Sequence, residues 1–185
     1  SSHVIGVKKL MFLGSACIYP KYSTQPIKEE YLLNGQLEPT NEPYAVAKIA
    51  GIKLCQTYFE QYGRNFVSGM PNNLYGPKDN YDLETSHVLP ALIRKFHEGK
   101  VNDLKQVSIW GTGNPKREFL HVDDLSEACL YIMNEIDAKD FKKMSISHIN
   151  IGSGKEISIR ELAFLIKEIV GFKGRVSFDK EKPDG

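Results

Sequence analysis

The sequence predicts an α/β protein built on a parallel sheet, and three observations predict it. Short apolar runs closed by small residues, Val7–Gly14 and Asn65–Met70, suit buried parallel strands. Longer stretches with apolar residues at helical spacing, 43–62, 87–98 and 158–170, alternate with further short strands at 106–110, 117–122, 148–152 and 174–178. The residue types that carry chemistry fall just after the first strands, at the carboxyl edge where open α/β sheets gather their ligands.

With 185 residues, 41% of them hydrophobic, the chain is long enough for one sizeable core, or for one domain and part of another. Lys and Arg total 24 against 23 Asp and Glu, and this balance of +1 is dispersed, which offers no basic field to nucleic acid. No run of about eighteen apolar residues marks a membrane span, and Ser1–Ile5 lacks the regions of a signal peptide. A cytoplasmic protein with neither a nucleic-acid nor a membrane partner is therefore expected. Cys17, Cys55 and Cys129 lie far apart, with no C-x-x-C pair and no histidine at ligand spacing, so three free thiols and no metal are expected.

Taken in order, the first strand ends in Ser15-Ala16-Cys17-Ile18-Tyr19-Pro20, which puts a hydroxyl and a thiol at the sheet's ligand edge. By itself Ser15 fits a turn residue and Cys17 a small buried hydrophobe equally well. Residues 21–42, with Pro26, Gly35 and Pro39, read as a long loop of the kind that is usually functional. Asn41, Glu42 and Pro43 then start a helix that Gly63 closes, with Ala45, Ile49, Ile52, Leu54, Tyr58 and Phe59 on its apolar face.

Tyr44 and Lys48 sit four residues apart in that helix, about 6 Å from each other on its surface. An ammonium so placed favours tyrosinate and lowers a phenol pKa that is normally ~10, as suits a proton donor to a carbonyl under reduction. The bare Y-x-x-x-K pattern is more often an ordinary exposed pair.

After the next strand, Pro71 to Pro77 reads as a rigid turn, and Ser86 as the cap of a helix opening with His87 and burying Val88, Leu89, Leu92, Ile93 and Phe96. Arg94 and Lys95 fall on the solvated face. A helix start holds an imidazole toward neutrality, which suits proton transfer and an ordinary surface histidine alike. Trp110 closes the strand 106–110, where a buried aromatic is the ordinary reading. Asp123 or Asp124 caps a helix to about Glu135, and Ser158 caps another to about Val170. Gly111-Thr112-Gly113 and Gly152-Ser153-Gly154-Lys155 do not complete G-x-G-x-x-G and read as turns.

Beyond spacing, the wording of the motifs is specific. GSACIYP (14–20), EPTNEPYAVAKIAGIKLC (38–55), NLYGP (73–77), SHVLPALIRKFHEGK (86–100), IWGTGNPKREFLHVDD (109–124) and SHINIGSG (147–154) together resemble the extended short-chain dehydrogenase/reductase family. Within it they are most similar to enzymes that both epimerise and reduce a GDP-linked 4-keto sugar. The resemblance implies that residues 1–80 are the C-terminal half of a Rossmann-type doubly wound parallel sheet binding NADP(H). It implies that 81–185 form most of a smaller α/β substrate-binding domain, with segments near 118–137 and 148–151 returning to the Rossmann sheet.

The implied reaction is epimerisation at C3 and C5 and reduction at C4 of GDP-4-keto-6-deoxy-D-mannose to GDP-L-fucose, in a homodimer that pairs helices including 44–62. Tyr44 would protonate the C4 oxygen, Lys48 would hold the nicotinamide ribose, and Ser15 would hydrogen-bond the ketone. Cys17 would be the epimerising base and His87 the acid, a thiol of pKa ~8.5 needing only modest tuning. Leu13, Gly14, Ser15, Ala16, Tyr44, Lys48, Pro71, Asn72, Asn73, Leu74 and His87 match the family's cofactor contacts. Lys95, Trp110, Arg117 and Asp184 match its substrate contacts.

Ala16 and Asn72 stand where the family commonly has serine and threonine. Nothing before Val7 matches the family's glycine-rich β-α unit, so the chain reads as an internal fragment expected to bind NADPH poorly alone. Two other readings stay open at this stage, a different nucleotide-sugar epimerase or dehydratase of the same family and a binding module without turnover.

Overall fold

The computed structural model describes residues 2–182 and Asp184. The chain is α/β with parallel sheets, and it divides into two compact units, the first made of residues up to Leu74 with Leu120–Gly152, the second of Tyr75–Phe119 with the residues from Ser153 onward.

In the first unit, β1 (Lys9–Leu13), β2 (Asn65–Pro71) and β6 (Ile149–Ile151) form a parallel sheet in the order β1-β2-β6. Leu13 pairs with Gly69, and Pro71 with Ile151, so the strand ends lie side by side. The middle strand β2 is buried from Phe66 to Pro71, which is why it reads as a continuous apolar run. Helix α1 (Glu42–Tyr62) buries Ala45, Ile49, Ile52 and Cys55. At Gly51 an added Cβ would collide with the Phe12 ring, so only glycine lets the helix come this close to β1. Gly63 ends the helix at φ +62°, its N–H on Phe59 O and that of Arg64 on Tyr58 O.

Several expectations need correction. Asn41 makes no side-chain capping bond, and Leu54 is 57% exposed. Helix α3 (Val122–Glu135) is capped not by an aspartate but by His121, whose Nδ1 accepts from Asp123 N at 3.2 Å. The helix starts two or three residues earlier than expected because the preceding strand β5 (Lys116–His121) ends at the histidine. A further helix, α4 (Ala138–Met144), carries a capping box between Asp137 and Asp140. Its apolar side is too short to show helical periodicity. The expected long loop folds back on itself, with Lys21 N on Gln36 O at 2.9 Å and a 2.7 Å Lys21–Glu38 ion pair.

In the second unit, β4 (Gln106–Trp110) and β8 (Arg175–Asp179) pair in parallel, from Gln106↔Arg175 to Trp110↔Asp179. Helices α2 (Val88–Val101) and α5 (Ile159–Val170) supply Leu89, Leu92, Phe96, Leu162, Ala163 and Ile166 to a core shared with Val107, Ile109 and Phe172. Ser158 caps α5 as expected, in a reciprocal box with Glu161. In α2 the cap position is His87 rather than Ser86, and neither side chain bonds the helix start; Val88 is 36% exposed. The segment expected as a turn after Pro71 contains the short strand β3 (Asn73–Tyr75), and β7 (Glu156–Ser158) pairs antiparallel with β5 through Lys116↔Ser158. Among the described residues no helix is long and apolar enough to cross a membrane, and no cluster of His, Cys, Asp and Glu is placed to hold a metal.

Candidate active site

The sheet topology of the first unit delivers several expected site residues to one edge. Because β1 and β2 are parallel and in register, the Leu13-Gly14-Ser15 exit lies beside the exit at Pro71-Asn72, and Gly14 N donates to Gly69 O at 2.8 Å. A Cβ on Gly14 would lie 3.3 Å from Ile52 Cδ1 and 3.5 Å from Gly69 O, so the strand end runs tight against α1 and β2. Asn72 N donates to Ile151 O at 3.1 Å, while Asn73 is exposed and Leu74 packs into the core around Val67.

Lys48 reaches this edge from the second turn of α1. Its ammonium donates to the Leu13 carbonyl oxygen at 2.9 Å and lies 5.3 Å from the Phe12 ring centre and 5.6 Å from that of Tyr44. Tyr44 is 53% exposed. Beyond Gly14, Ser15 is extended (φ −157°, ψ 151°) and Ala16–Ile18 make a single 3-10 turn. Ile18 and Tyr19 are buried, and Cys17, between Ala16 and Ile18, is half-buried.

In the second unit, all four residues expected to meet substrate line one cleft of about 340 Å³, namely Lys95, Trp110, Arg117 and Asp184. Trp110 is not a buried strand aromatic. Val107 and Ile109 take the inward positions of β4, so the alternation turns the indole outward, 58% exposed. Lys95 and Lys182 each place an ammonium 5.6 Å from the indole. Burial lowers the Lys95 pKa, so this cation is partly desolvated rather than on a solvated face, whereas Arg94 is paired with Glu98 at 2.6 Å.

Asp184 accepts from Thr112 N and Thr112 Oγ1 at 2.6 and 2.8 Å, which holds its carboxyl below the usual range and fastens the chain end to the Gly111–Gly113 turn. Gly111 (φ +78°) is required there, since a Cβ would strike Asp184. His87, exposed, precedes α2.

Sequence reasoning missed Lys182, and it missed that Ser86, taken for a cap, has its hydroxyl buried at the cleft with no partner among the described residues. Neither carries a pattern in the chain that marks it. A separate cleft of about 380 Å³ beside α1 and α4 is lined by Glu29, Lys53, Gln56 and Lys142, and holds none of the expected residues.

Residues 1–152 match the family described as NAD dependent epimerase/dehydratase. The chain belongs to that family. Among the epimerase/dehydratase relatives, the chain is similar to GDP-L-fucose synthase 1 of Arabidopsis thaliana, 58% identical over 185 residues that cover 100% of this chain and 55% of that protein. It is similar in structure to a GDP-6-OMe-4-keto-L-xylo-heptose reductase from C. jejuni, with a TM-score of 0.91 and 43% identity over 99% of this chain and 62% of that one. It is also similar to a GDP-L-fucose synthetase from Naegleria fowleri bound to NADP, with a TM-score of 0.87 and 31% identity over 100% of this chain and 57% of that one. The chain spans about half the length of the curated relatives it matches.

Proposed function

We propose that the protein makes GDP-L-fucose from GDP-4-keto-6-deoxy-D-mannose by epimerisation at C3 and C5 followed by NADPH-dependent reduction at C4. The observation that carries this reading most is the hold of Lys48 on Leu13 O beside Tyr44 at the sheet's ligand edge, in a chain more than half identical to a fucose synthase along its whole length.

The residues at that edge fit a dinucleotide. An ammonium has three donors, Leu13 O takes one, and two are left for a ribose diol. The tight Gly14 crossing leaves backbone rather than side chain at the strand exit, as a closely approaching cofactor needs. Leu13, Gly14, Ser15, Ala16 and Pro71–Leu74 would line the cofactor with Tyr44, Lys48 and His87. When bound, NADPH supplies the hydride that arrives at C4.

The 4-keto group acidifies the C3 and C5 protons, because the carbanion left behind is delocalised as an enolate. The Cys17 thiolate removes such a proton and His87 returns one to the opposite face, each change of configuration consuming and releasing one proton. Tyr44 then donates its hydroxyl proton to the C4 oxygen as that oxygen gains charge, Ser15 holding the same oxygen by a hydrogen bond. For the nucleotide end, Lys95 and Arg117 offer cations to the diphosphate and Trp110 an exposed face to the sugar or base.

A cytoplasmic homodimer completes the proposal. Val46, Ala50 and Leu54 lie one turn apart, exposed along α1, the helix through which the dimer would form.

The test uses the full-length protein with NADPH and GDP-4-keto-6-deoxymannose in deuterated water. Loss of nicotinamide absorbance and deuterium at C3 and C5 of the product are expected, and no oxidation of NADPH would overturn the reading. Cys17→Ser should suppress the deuterium uptake.

A further inference from the structure

The first unit contains a buried polar chain that the proposed chemistry does not use. His148 is fully buried and Tyr19 is 4% exposed. The Tyr19 hydroxyl contacts His148 Nε2 at 2.6 Å and donates to Asn150 Oδ1. Asn150 is oriented by its own amide, since Nδ2 donates to Ile27 O at 3.2 Å and so leaves Oδ1 toward Tyr19. A phenol has one proton, and that proton is committed to Asn150. The 2.6 Å contact must then be donated by His148 Nε2–H, which leaves Nδ1 bare to accept from the Ser147 hydroxyl at 3.0 Å. The bonds therefore run one way, from Ser147 through His148, Tyr19 and Asn150 to the Ile27 carbonyl.

One member of this chain, Tyr19, adjoins the turn that carries Ser15 and Cys17. Two local bonds close that turn, Ile18 N to Ser15 O at 3.1 Å and Tyr19 N to Ala16 O at 3.3 Å, which is little for a segment that must place a general base. Tyr19 follows its last residue. Through it the turn is tied to β6, itself paired with β2. Asn150 also fastens the loop after the turn, by its N–H on Glu29 Oε1 at 2.9 Å and its amide on Ile27 O. Packing alone does not need this arrangement, because a phenylalanine at 19 would fill nearly the same space beside Ile18, Ile49 and Met70. Buried polar groups are costly unless all are satisfied; when satisfied they fix one geometry.

We propose that Tyr19, His148 and Asn150 are positioning residues for the Ser15–Cys17 turn, a directional hydrogen-bond chain that sets where the Cys17 thiol and the Ser15 hydroxyl are presented. This rests on the proposed epimerase/reductase chemistry for its functional meaning, and on the structure alone for its geometry. A displacement of about 1 Å at a reacting group costs up to about a hundredfold in rate, so loosening one anchor should act on turnover rather than on binding.

The experiment compares full-length wild type with Tyr19→Phe and His148→Gln, the latter keeping an N–H donor toward position 19. Three quantities are read: the iodoacetamide rate at Cys17 by peptide mass spectrometry across the thiol titration, kcat and KM with NADPH and the 4-keto sugar, and the melting temperature. Tyr19→Phe is expected to change the Cys17 alkylation rate at least about threefold and to lower kcat about tenfold with KM within about twofold, whereas His148→Gln is expected to keep most of the wild-type alkylation rate and kcat. A folded Tyr19→Phe protein with an unchanged alkylation profile and kcat overturns the proposal. So does a His148→Gln protein that loses both in step with its melting temperature, since packing would then explain everything.

If Tyr19→Phe does not fold, Ser147→Ala removes only the outer donor. A smaller change of the same sense then supports the proposal, and none overturns it. Wild type that never oxidises NADPH, while Cys17 alkylation still responds to Tyr19→Phe, sinks the functional reading and leaves the positioning chain standing.

Discussion

The Lys48 ammonium donates to the carbonyl oxygen of Leu13 at 2.9 Å, which joins the last residue of β1 to the second turn of α1 across 35 positions of sequence. The contact fixes one of the lysine's three donors and sets Nζ beside the Tyr44 ring. Lys48→Met keeps an unbranched side chain of similar length but removes the ammonium from the Phe12 ring and leaves Leu13 O without its donor. In the full-length protein we expect NADPH oxidation to fall by about 10²-fold or more, with weaker NADPH binding in a fluorescence titration. An unchanged rate would remove Lys48 from the reaction.

The cleft of the second unit makes a separate prediction about the nucleotide. Lys95 and Lys182 each place an ammonium 5.6 Å from the centre of the outward-turned Trp110 ring. Trp110→Ala should weaken GDP binding about tenfold, near 1.4 kcal/mol, in a calorimetric titration, and Lys95→Gln should weaken it in a salt-dependent way. Equal affinity in Trp110→Ala would show that the nucleotide does not use this ring.

His148 gives stability a pH dependence. Burial lowers its pKa to about 4, with Glu29 acting the other way and Lys53 in the same direction. The folded state therefore binds fewer protons than the unfolded chain between the ordinary histidine value of ~6.5 and the folded value. The contribution of His148 is fully present above the unfolded value and is lost as pH falls through this window, by up to about 1.4 kcal/mol per pH unit. Urea unfolding of wild type should weaken from near-neutral pH toward pH 4, and His148→Gln should flatten that slope. An equal slope in both proteins would exclude this histidine as its source.

Gly51 tests the packing of α1 on β1. Because any Cβ meets the Phe12 ring, Gly51→Val should destabilise by about 1–3 kcal/mol through overpacking, even though valine costs less helix propensity than glycine. Phe12→Leu in the same background should recover part of the loss. A Gly51→Val protein as stable as wild type in urea would mean that the helix can move off the strand.

Much of this was legible in the residues. Helix α1 was read to its closing glycine, because Pro43 and Gly63 are local signals acting on their own backbone. Ser158 was read as a cap for the same reason, its partner Glu161 being three residues away. Asn41 does occupy the cap position, without a side-chain bond, whereas Ser86 and the Asp123-Asp124 pair miss it because the backbone enters each helix from a preceding segment whose course is set elsewhere. The short strands β3 and β7 were missed because three residues carry too little periodicity to register.

The sequence by itself determined the α/β alternation, the helix ends that glycine, proline and serine impose, and the Tyr44–Lys48 spacing, since all of these are local. Only the tertiary structure decided which partners those residues met. It brought Lys48 to Leu13, turned Trp110 outward over a cleft, and buried His148 against Tyr19. The alternation of His148 and Asn150 puts both on one face of their segment, but the phenol they share lies some 130 positions away. A parallel sheet pairs strands that are distant in the chain, and no spacing within the sequence records which side chains that pairing will align.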